Sequence, residues 1–190
     1  MLMYNSFMDL VKYFPKKVKT KKSREVTFKI PDKDDFKEMQ RFINELVEED
    51  EPILKNEKIK LSDEKKYLDG LLKDIKSKKS VNVYAFYNSK LIANTGVKAG
   101  KFRGKHIGNL GISVNKDFRD EGLGHLLMKE LLFLSKNYLN LKKVTLAVLE
   151  GNLRGIHLYK KLDFSEYGRL PKAYYYKGKF VDEILMYKDL

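Results

Sequence analysis

Residues 114–124 read VNKDFRDEGLG, and the strand-like run LGISV at residues 110–114 ends where they begin. A leucine pattern with helical spacing starts at Leu123, so Gly122 and Gly124 fall where a strand gives way to a helix. The first turn of a helix leaves backbone N–H groups unpaired and carries about half a positive charge. Glycines there let a ligand approach the backbone closely, because no Cβ stands in the way. The stretch therefore predicts a phosphate-binding loop.

Two carboxylates, Asp120 and Glu121, lie inside this loop although the chain has a formal net charge of +13. We expect both side chains to point outward into water, where acids in the first turn suit the helix dipole and weaken the binding of an anionic ligand only slightly. A second interpretation of the stretch is an ordinary tight turn into a surface helix, since glycine pairs are common in loops.

The composition is that of a globular domain with a core of its own, at 190 residues, 43% hydrophobic and 34% charged. Cysteine is absent, which excludes disulfides, thiolate nucleophiles and cysteine-ligated zinc. The histidines His106, His125 and His157 lack the spacing of metal ligands, so we expect no metal site. No apolar run approaches the ~20 residues of a membrane span, and residues 1–14 are a poor secretory signal. A soluble, cytoplasmic protein is expected.

Much of the positive charge lies in one short segment near the N-terminus. We predict that residues 1–23 form a basic extension and that residues 24–190 form the folded domain. One interpretation of the extension is a solvated arm, and the other is a contact with nucleic acid or the ribosome. The first is favoured because no aromatic platform accompanies the charges. The basic residues are Lys12, Lys16, Lys17, Lys19, Lys21, Lys22 and Arg24.

Periodicity along the rest of the chain predicts an α/β (α+β) domain. Residues 24–30 alternate as a strand, amphipathic helices follow after Asp32 and from Ser62, and the period changes to that of strands at Val81. Short turn signals at residues 88–90 and 177–179 predict hairpins. The order β-α-α-β-β-β-α-β-α-β-β indicates helices packed on one mixed sheet.

A second motif follows about thirty residues after the loop, where residues 152–164 read NLRGIHLYKKLDF. Together with Arg119-x-x-Gly122-x-Gly124, this run resembles the GNAT family of acyl-CoA N-acyltransferases, which has the pattern N-x-R-A-x-x-L-Y-x-K-x-G-F. The resemblance extends from about residue 24 to the C-terminus and implies the GNAT fold, a central mixed, mostly antiparallel β-sheet flanked by helices. The tail is similar to that of amino-acid and protein N-terminal acetyltransferases, through Gly178, Phe180, Asp182, Glu183 and Met186.

The resemblance implies an N-acetyltransferase that moves an acetyl group from acetyl-CoA to a primary amine by direct attack on the thioester, with no metal. Tyr159 is implied as the general acid beside the cofactor, because a departing thiolate gains from a nearby hydroxyl proton; a tyrosine on an amphipathic helix is also commonly a core residue. Asn152 and the backbone of Ile112, Ser113 and Val114 are implied to hold the pantetheine arm. The pyrophosphate is implied to lie against Arg119, Asp120, Glu121, Gly122, Leu123, Gly124 and His125.

The general base is less well determined. Many relatives have glutamate at the positions that match Asn109 and Ala147, and neither residue here accepts a proton at neutral pH. His106, with an ordinary pKa near ~6.5, is one candidate, and Glu150 acting through a water is another. Loss of the proton to solvent is a third. Asp163 stands where the family usually has glycine, so its turn either holds an aspartate in an unusual backbone conformation or adopts another geometry.

An acidic turn at residues 48–51 lies between the first two helices, which border the acceptor site in the family. Glu48 and Glu49 are therefore candidates for attracting a cationic amine; the alternative is a solvated loop. Two other functions remain open, a non-catalytic acyl-CoA-binding regulatory module and a nucleic-acid- or ribosome-associated protein that uses the basic extension. The chain is expected to act as a monomer or a homodimer.

Overall fold

The structure, a computed structural model, describes residues 10–190 apart from the side chain of residue 11. Short 3-10 turns at Phe102–Gly104 and Lys116–Phe118 flank the strand that leads into the phosphate-binding loop. The helices and strands of the described residues are, in chain order, α1 (Leu10–Tyr13), β1 (Lys16–Lys19), β2 (Glu25–Lys29), α2 (Phe36–Glu48), α3 (Leu61–Lys76), β3 (Ser80–Tyr87), β4 (Lys90–Ala99), β5 (Ile107–Val114), α4 (Leu123–Asn137), β6 (Lys143–Leu149), α5 (Leu153–Lys161), β7 (Ser165–Tyr176) and β8 (Lys179–Asp189).

All eight strands of the described chain form one sheet in the order β1-β2-β3-β4-β5-β6-β8-β7. Neighbouring strands run antiparallel except β5 and β6, which are parallel. The predicted fold class, a mixed and mostly antiparallel sheet flanked by helices, is confirmed. From β2 onward the order of helices and strands is also the predicted one.

The long helices cover both faces of the sheet. The hydroxyl of Tyr84 in β3 contacts the sulfur of Met39 in α2 at 3.7 Å, and the hydroxyl of Thr95 in β4 contacts the sulfur of Met128 in α4 at 3.8 Å. Tyr84 is paired with Asn94, the neighbour of Thr95, so these two contacts lie on opposite faces. Across residues 10–190 no helix is long and apolar enough to cross a bilayer.

The two predicted hairpins are confirmed, and their turns show why. Asn88 and Ser89 have φ values of 46° and 63°, and Lys177 and Gly178 have φ values of 50° and 79°. Positive φ at both central positions matches the right-handed twist of the flanking strands. Each turn therefore sets the register of a long antiparallel pair.

The basic extension does not end at a structural boundary at residue 23. β1 pairs with β2 along its whole length, from Lys16 opposite Phe28 to Lys19 opposite Glu25, so the predicted domain boundary separates two hydrogen-bonded strands. The expectation of a solvated arm is therefore wrong for this part of the segment, while residues 1–9 lie outside the described residues. Four of its cations form ion pairs with acids of the same chain, Lys16–Glu130, Lys17–Glu25, Lys22–Glu121 and Arg24–Glu121.

Candidate active site

The sheet opens between its two parallel strands. β5 and β6 pair only through residues 107–109 and 143–145. Beyond that point β5 continues along β4 as far as Val114, and β6 continues along β8 as far as Leu149. The facing backbone edges of β5 and β6 are therefore left apart, and a cavity of about 890 Å³ lies at the opening.

Polar and apolar side chains line the cavity. The lining includes the asparagines Asn82, Asn94 and Asn109, and a Cβ built on Gly111 would meet nothing within 4 Å. The lining residues on β5, β6, β8, α5 and the N-cap of α5 include Ile112, Ser113, Ala147, Leu149, Asn152, Tyr159 and Glu183.

The glycine-bearing loop forms the first turn of α4 next to this opening. Gly122 is the N-cap residue with a φ of 80°, a conformation that favours glycine, and no side chain caps the helix. The first N–H groups of α4 therefore have no intrahelical or capping acceptor. A Cβ on Gly124 would lie 3.4 Å from the side chain of Leu158, so α5 packs closely against this turn.

The two acids of the loop have different environments. Asp120 follows the expectation: its side chain is 75% exposed and pairs with Arg154 at 3.3 Å. Glu121 contradicts it, because its side chain is fully buried. The carboxylate accepts a hydrogen bond from the Thr20 hydroxyl at 3.0 Å and pairs with Arg24 at 3.1 Å and with Lys22 at 3.3 Å. Glu121 thus attaches the basic segment to the loop.

Arg119 is held away from a phosphate-binding role through its side chain. Its Nε donates to the carbonyl of Val114 at 2.9 Å, and its terminal nitrogens pair with Glu49 at 2.8 Å and Glu51 at 3.0 Å. The Arg119 and Glu49 side chains are only 12% and 13% exposed. The expectation that this guanidinium binds pyrophosphate therefore has no support in the geometry; it fastens the acidic turn to the end of β5.

Ion pairs also engage the two acids, Glu48 and Glu49, that were expected to attract the acceptor. Glu49 is neutralised by Arg119, and Glu48 pairs with Lys58 at 2.6 Å on the surface. Neither residue lines the cavity, whereas Glu51 does. The acidic turn is a structural salt-bridge site, because the cations that balance it come from the loop before α4 and from the chain that follows α2.

Tyr159 is positioned by a capped helix. Asn152 is the N-cap residue of α5, and its side-chain oxygen accepts from the N–H of Gly155 at 2.8 Å. Two turns later Tyr159 lines the cavity with 6% of its surface exposed. Burial raises the pKa of Tyr159 to about 12, so the phenol keeps its proton at neutral pH.

The base candidates from the sequence lie away from the cavity. His106 is exposed and precedes β5 at the end where β5 and β6 are paired, so it does not line the opening. Glu150 pairs with Arg169 at 2.7 Å and does not line it either. The cavity instead contains Glu183, which accepts a hydrogen bond from the Tyr174 hydroxyl at 2.7 Å. This contact raises the pKa of Tyr174.

The sequence does not indicate that Glu183 lines the cavity. Glu183 belongs to the tail motif, but the order of apolar and polar residues along β8 does not distinguish the cavity side of the strand from the solvent side. Only its pairing opposite Leu149 brings it to the opening.

His125 lies in the first turn of α4, beside the loop. Burial lowers its pKa, and the nearby charges of Lys161, Lys129 and Lys21 lower it further. Its buried Nδ1 has no hydrogen-bond partner among the described residues. Within the same residues, no group of three or more acidic or histidine side chains has the geometry of a metal site.

The family assignment follows from this architecture and from the sequence together. The model of the acetyltransferase (GNAT) family matches residues 39–164, a span that contains the open strand pair, the loop and Tyr159. The chain belongs to the GNAT acetyltransferase family. The predicted family is thereby confirmed, and the chemistry of that family is acetyl transfer from acetyl-CoA to an amine.

Similar proteins include other acetyltransferases. The L-amino acid N-acetyltransferase AaaT of Escherichia coli K12 is 30% identical over 84 residues, which cover 44% of this chain and 52% of that protein. A GNAT acetyltransferase structure from Streptococcus pneumoniae superposes with a TM-score of 0.78 at 27% identity, covering 87% of this chain and 99% of that one. The fold is also that of the putative acetyltransferase yncA of Salmonella typhimurium, solved with acetyl-CoA, at a TM-score of 0.75 and 16% identity over 87% of this chain and 94% of that one.

Proposed function

We propose that this GNAT protein transfers an acetyl group from acetyl-CoA to the primary amine of a small or peptide substrate by direct attack. The observation that carries the proposal is the cavity between β5 and β6, which contains both a protonated buried tyrosine and a carboxylate without a cationic partner among the described residues. A protein that only bound the cofactor would not require both groups in one cavity.

The open edge of β5 supports binding of the pantetheine arm by the backbone of Ile112, Ser113 and Val114. These residues have β4 on one side and no strand on the other. An extended amide-containing chain completes such an edge as an additional strand does. Asn152, at the other side of the opening, keeps its side-chain N–H₂ group available while its oxygen caps α5.

The first turn of α4 supports binding of the diphosphate. The backbone N–H groups of Leu123, Gly124 and His125 follow the left-handed Gly122 and have no capping acceptor. They therefore present donors and the positive end of the helix dipole to an anion. Asp120 and Glu121 contribute backbone to this loop while their side chains are engaged elsewhere, and Arg119 contributes only its position at the start of the loop.

The chemistry requires one proton donor and one group that receives the amine. Bound acetyl-CoA supplies the thioester carbonyl that the amine attacks and the sulfur that leaves. Tyr159 donates the proton that the sulfur takes up as the C–S bond breaks, and its raised pKa keeps that proton in place until then. The second proton, which the nitrogen loses as the amide forms, restores the phenol. Glu183 holds the ammonium form of the substrate and accepts its proton before attack, in the place of the glutamates that relatives have on β5 or β6.

The acceptor class follows from the same cavity. Carboxamides of Asn82, Asn94 and Asn109 offer both donors and acceptors, and Lys98 is paired with Asp74 at 2.6 Å at the edge. Such a polar lining fits an amine that carries further amide or carboxylate groups, as an amino acid or a peptide N-terminus does. The amino-acid acetyltransferase of Escherichia coli described above supports this class.

The test is a thiol-release assay with acetyl-CoA and a panel of amino acids, peptides and polyamines. We expect release with at least one α-amino compound, and we expect Glu183→Gln to lower kcat/KM for it by tenfold or more, because the neutral amide accepts no proton. Affinity for CoA is expected to stay within about twofold, since Glu183 lies at the acceptor side. Glu166→Gln, an exposed acid on β7, is the matched control.

Two outcomes would contradict the proposal. Wild-type kcat/KM in Glu183→Gln would remove the carboxylate from the mechanism. Tight CoA binding without acetylation of any amine, with mass spectrometry finding no acetylated acceptor in the panel, would favour a regulatory CoA-binding module instead.

A further inference from the structure

Three lysines from separate elements lie near the start of α4. Lys21 belongs to the turn between β1 and β2, Lys129 to α4, and Lys161 to the end of α5. All three are exposed. Lys129 lies one turn after His125 on α4, and Lys161 lies one turn after Leu158, whose side chain would be 3.4 Å from a Cβ built on Gly124. Burial lowers the pKa of His125, and the charges of the three lysines lower it further.

These lysines differ from the other cations nearby in having no carboxylate. Among the described residues, Lys22 and Arg24 pair with Glu121, and Arg154 pairs with Asp120. None of the ion pairs of residues 10–190 includes Lys21, Lys129 or Lys161. An exposed group of like charges repels itself, so an anionic ligand at the centre of the three would relieve that repulsion.

Lys21 is placed there by specific contacts. Its backbone N–H donates to the carbonyl of Glu121 at 2.8 Å. A Cβ built on Gly122 would lie 3.4–3.6 Å from the Cγ, Cδ and Cε atoms of Lys21, so the side chain runs along this glycine. The buried Glu121 carboxylate holds the rest of the turn through Thr20, Lys22 and Arg24.

We propose that Lys21, Lys129 and Lys161 form a phosphate-binding cluster for the nucleotide half of CoA, with Glu121 as the residue that positions Lys21. The proposal rests on the proposed function and adds to it: the backbone amides hold the ligand near the loop, and the lysines supply the charge that the loop's own side chains lack. Glu121, an acid in the loop, thereby positions the basic turn between β1 and β2 next to the loop.

The experiment measures the CoA dissociation constant by calorimetry for Lys21→Ala, Lys129→Ala, Lys161→Ala and the triple variant. We expect each single change to raise it by roughly twofold to fivefold and the triple change by about tenfold or more, with a smaller dependence on salt concentration. Lys17→Ala is the control, because it removes the same charge from an exposed lysine that pairs with Glu25 on β2.

Two fragments of CoA, 3′-dephospho-CoA and pantetheine, show which phosphate group the lysines bind. If the loss of affinity disappears with 3′-dephospho-CoA, the cluster binds the 3′-phosphate; if the loss remains with 3′-dephospho-CoA and disappears with pantetheine, the cluster binds the diphosphate. Either pattern supports the proposal. Dissociation constants in all three single variants equal to that of Lys17→Ala would overturn it while leaving the proposed function intact. A wild-type protein that binds no CoA would overturn the proposed function itself.

The positioning role of Glu121 is tested by a double-mutant cycle. With Glu121→Gln as background, Lys21→Ala is expected to change CoA affinity by less than about twofold, because the turn is no longer fastened to the loop. Thr20→Val provides a second background if Glu121→Gln lowers the yield of folded protein. An undiminished effect of Lys21→Ala in both backgrounds would show that Glu121 does not place this lysine.

Discussion

At the scale of single residues, environment decides function more than residue type does. Asp120 and Glu121 are neighbours of like charge, yet one is exposed and the other is fully buried with three partners. Asp163 adopts a φ of 61°, so the expectation of an aspartate in the left-handed region, where the family has glycine, is confirmed. Tyr159 differs from the exposed tyrosines of the chain because burial changes its proton affinity.

The raised pKa of Tyr159 predicts the shape of the pH–rate profile. A raised pKa means that the phenol loses its proton only as the pH approaches about 12. The kcat is therefore expected to rise as the substrate ammonium deprotonates, and then to show no descending limb up to about pH 11. Tyr159→Phe should lower kcat about tenfold or more throughout this plateau. The measurement is kcat between pH 6 and 11, with preincubation controls for stability, and a descending limb centred near pH 10 would indicate an unperturbed phenol.

At the scale of elements, the site depends on a strand pair that stops pairing and on a helix that begins with a cap. The opening after residues 107–109 leaves an unpaired strand edge, and the capped start of α5 directs Tyr159 toward that opening. Local sequence explains the second feature, since asparagine is a favoured N-cap residue. The opening between the strands depends instead on the positions of β6 and β8, and both strands are distant from β5 in sequence.

Two substitutions at Asn152 separate its cap from its contact with the ligand. Asn152→Ala removes the acceptor for the Gly155 N–H and is expected to lower the free energy of unfolding by about 1 kcal/mol. Asn152→Asp keeps that acceptor and is expected to retain stability, but it loses the N–H₂ donor and should raise KM for acetyl-CoA. Urea denaturation and steady-state kinetics on both variants provide the measurement. A normal KM in Asn152→Asp would limit this residue to the cap.

At the scale of the whole molecule, salt bridges join regions that are distant in sequence around the site. Arg119 connects the loop after α2 to the end of β5, and Glu121 connects the β1–β2 turn to α4. The tip of the β7–β8 hairpin reaches the same region, because the Tyr176 hydroxyl donates to the carbonyl of Asp50 at 2.7 Å. In a chain with a net charge of +13, the buried acid Glu121 thus holds the β1–β2 turn against the loop.

Arg119→Gln distinguishes a structural role from a ligand-binding role. Its removal leaves Glu49 and Glu51 close together with little exposure, so the free energy of unfolding is expected to fall by about 2 kcal/mol. The KM for the amine should rise, because residues 51–54 line the cavity. The CoA dissociation constant should stay within about twofold.

The control for this prediction is Arg169→Gln. Arg169 also meets several acids, Glu150, Glu166 and Asp182, but on the exposed hairpin, so a smaller loss of stability is expected. A large rise in the CoA dissociation constant of Arg119→Gln, with unchanged stability, would restore the original expectation that its guanidinium binds pyrophosphate.

Local patterns were sufficient for much of this protein. The order of elements from β2 onward, the two hairpin turns, the glycine loop and the capped helix of Tyr159 depend on periodicity, turn residues and capping, which act over a few neighbouring positions. The family followed from two such patterns in the right order. These features were predictable because the residues that cause them are adjacent in the chain.

The partners of the charged side chains required the folded chain. Nothing near Arg119 in sequence indicates Glu49 and Glu51, and nothing near Glu121 indicates Thr20 and Arg24, because the pairs are separated by about 70 to 101 residues. Glu183 likewise reaches the cavity through the pairing of β8 with β6. Which acid is buried, which cation is left unpaired and where the sheet opens are set by long-range packing, since the free energy of an ion depends on the groups and the solvent around it in space.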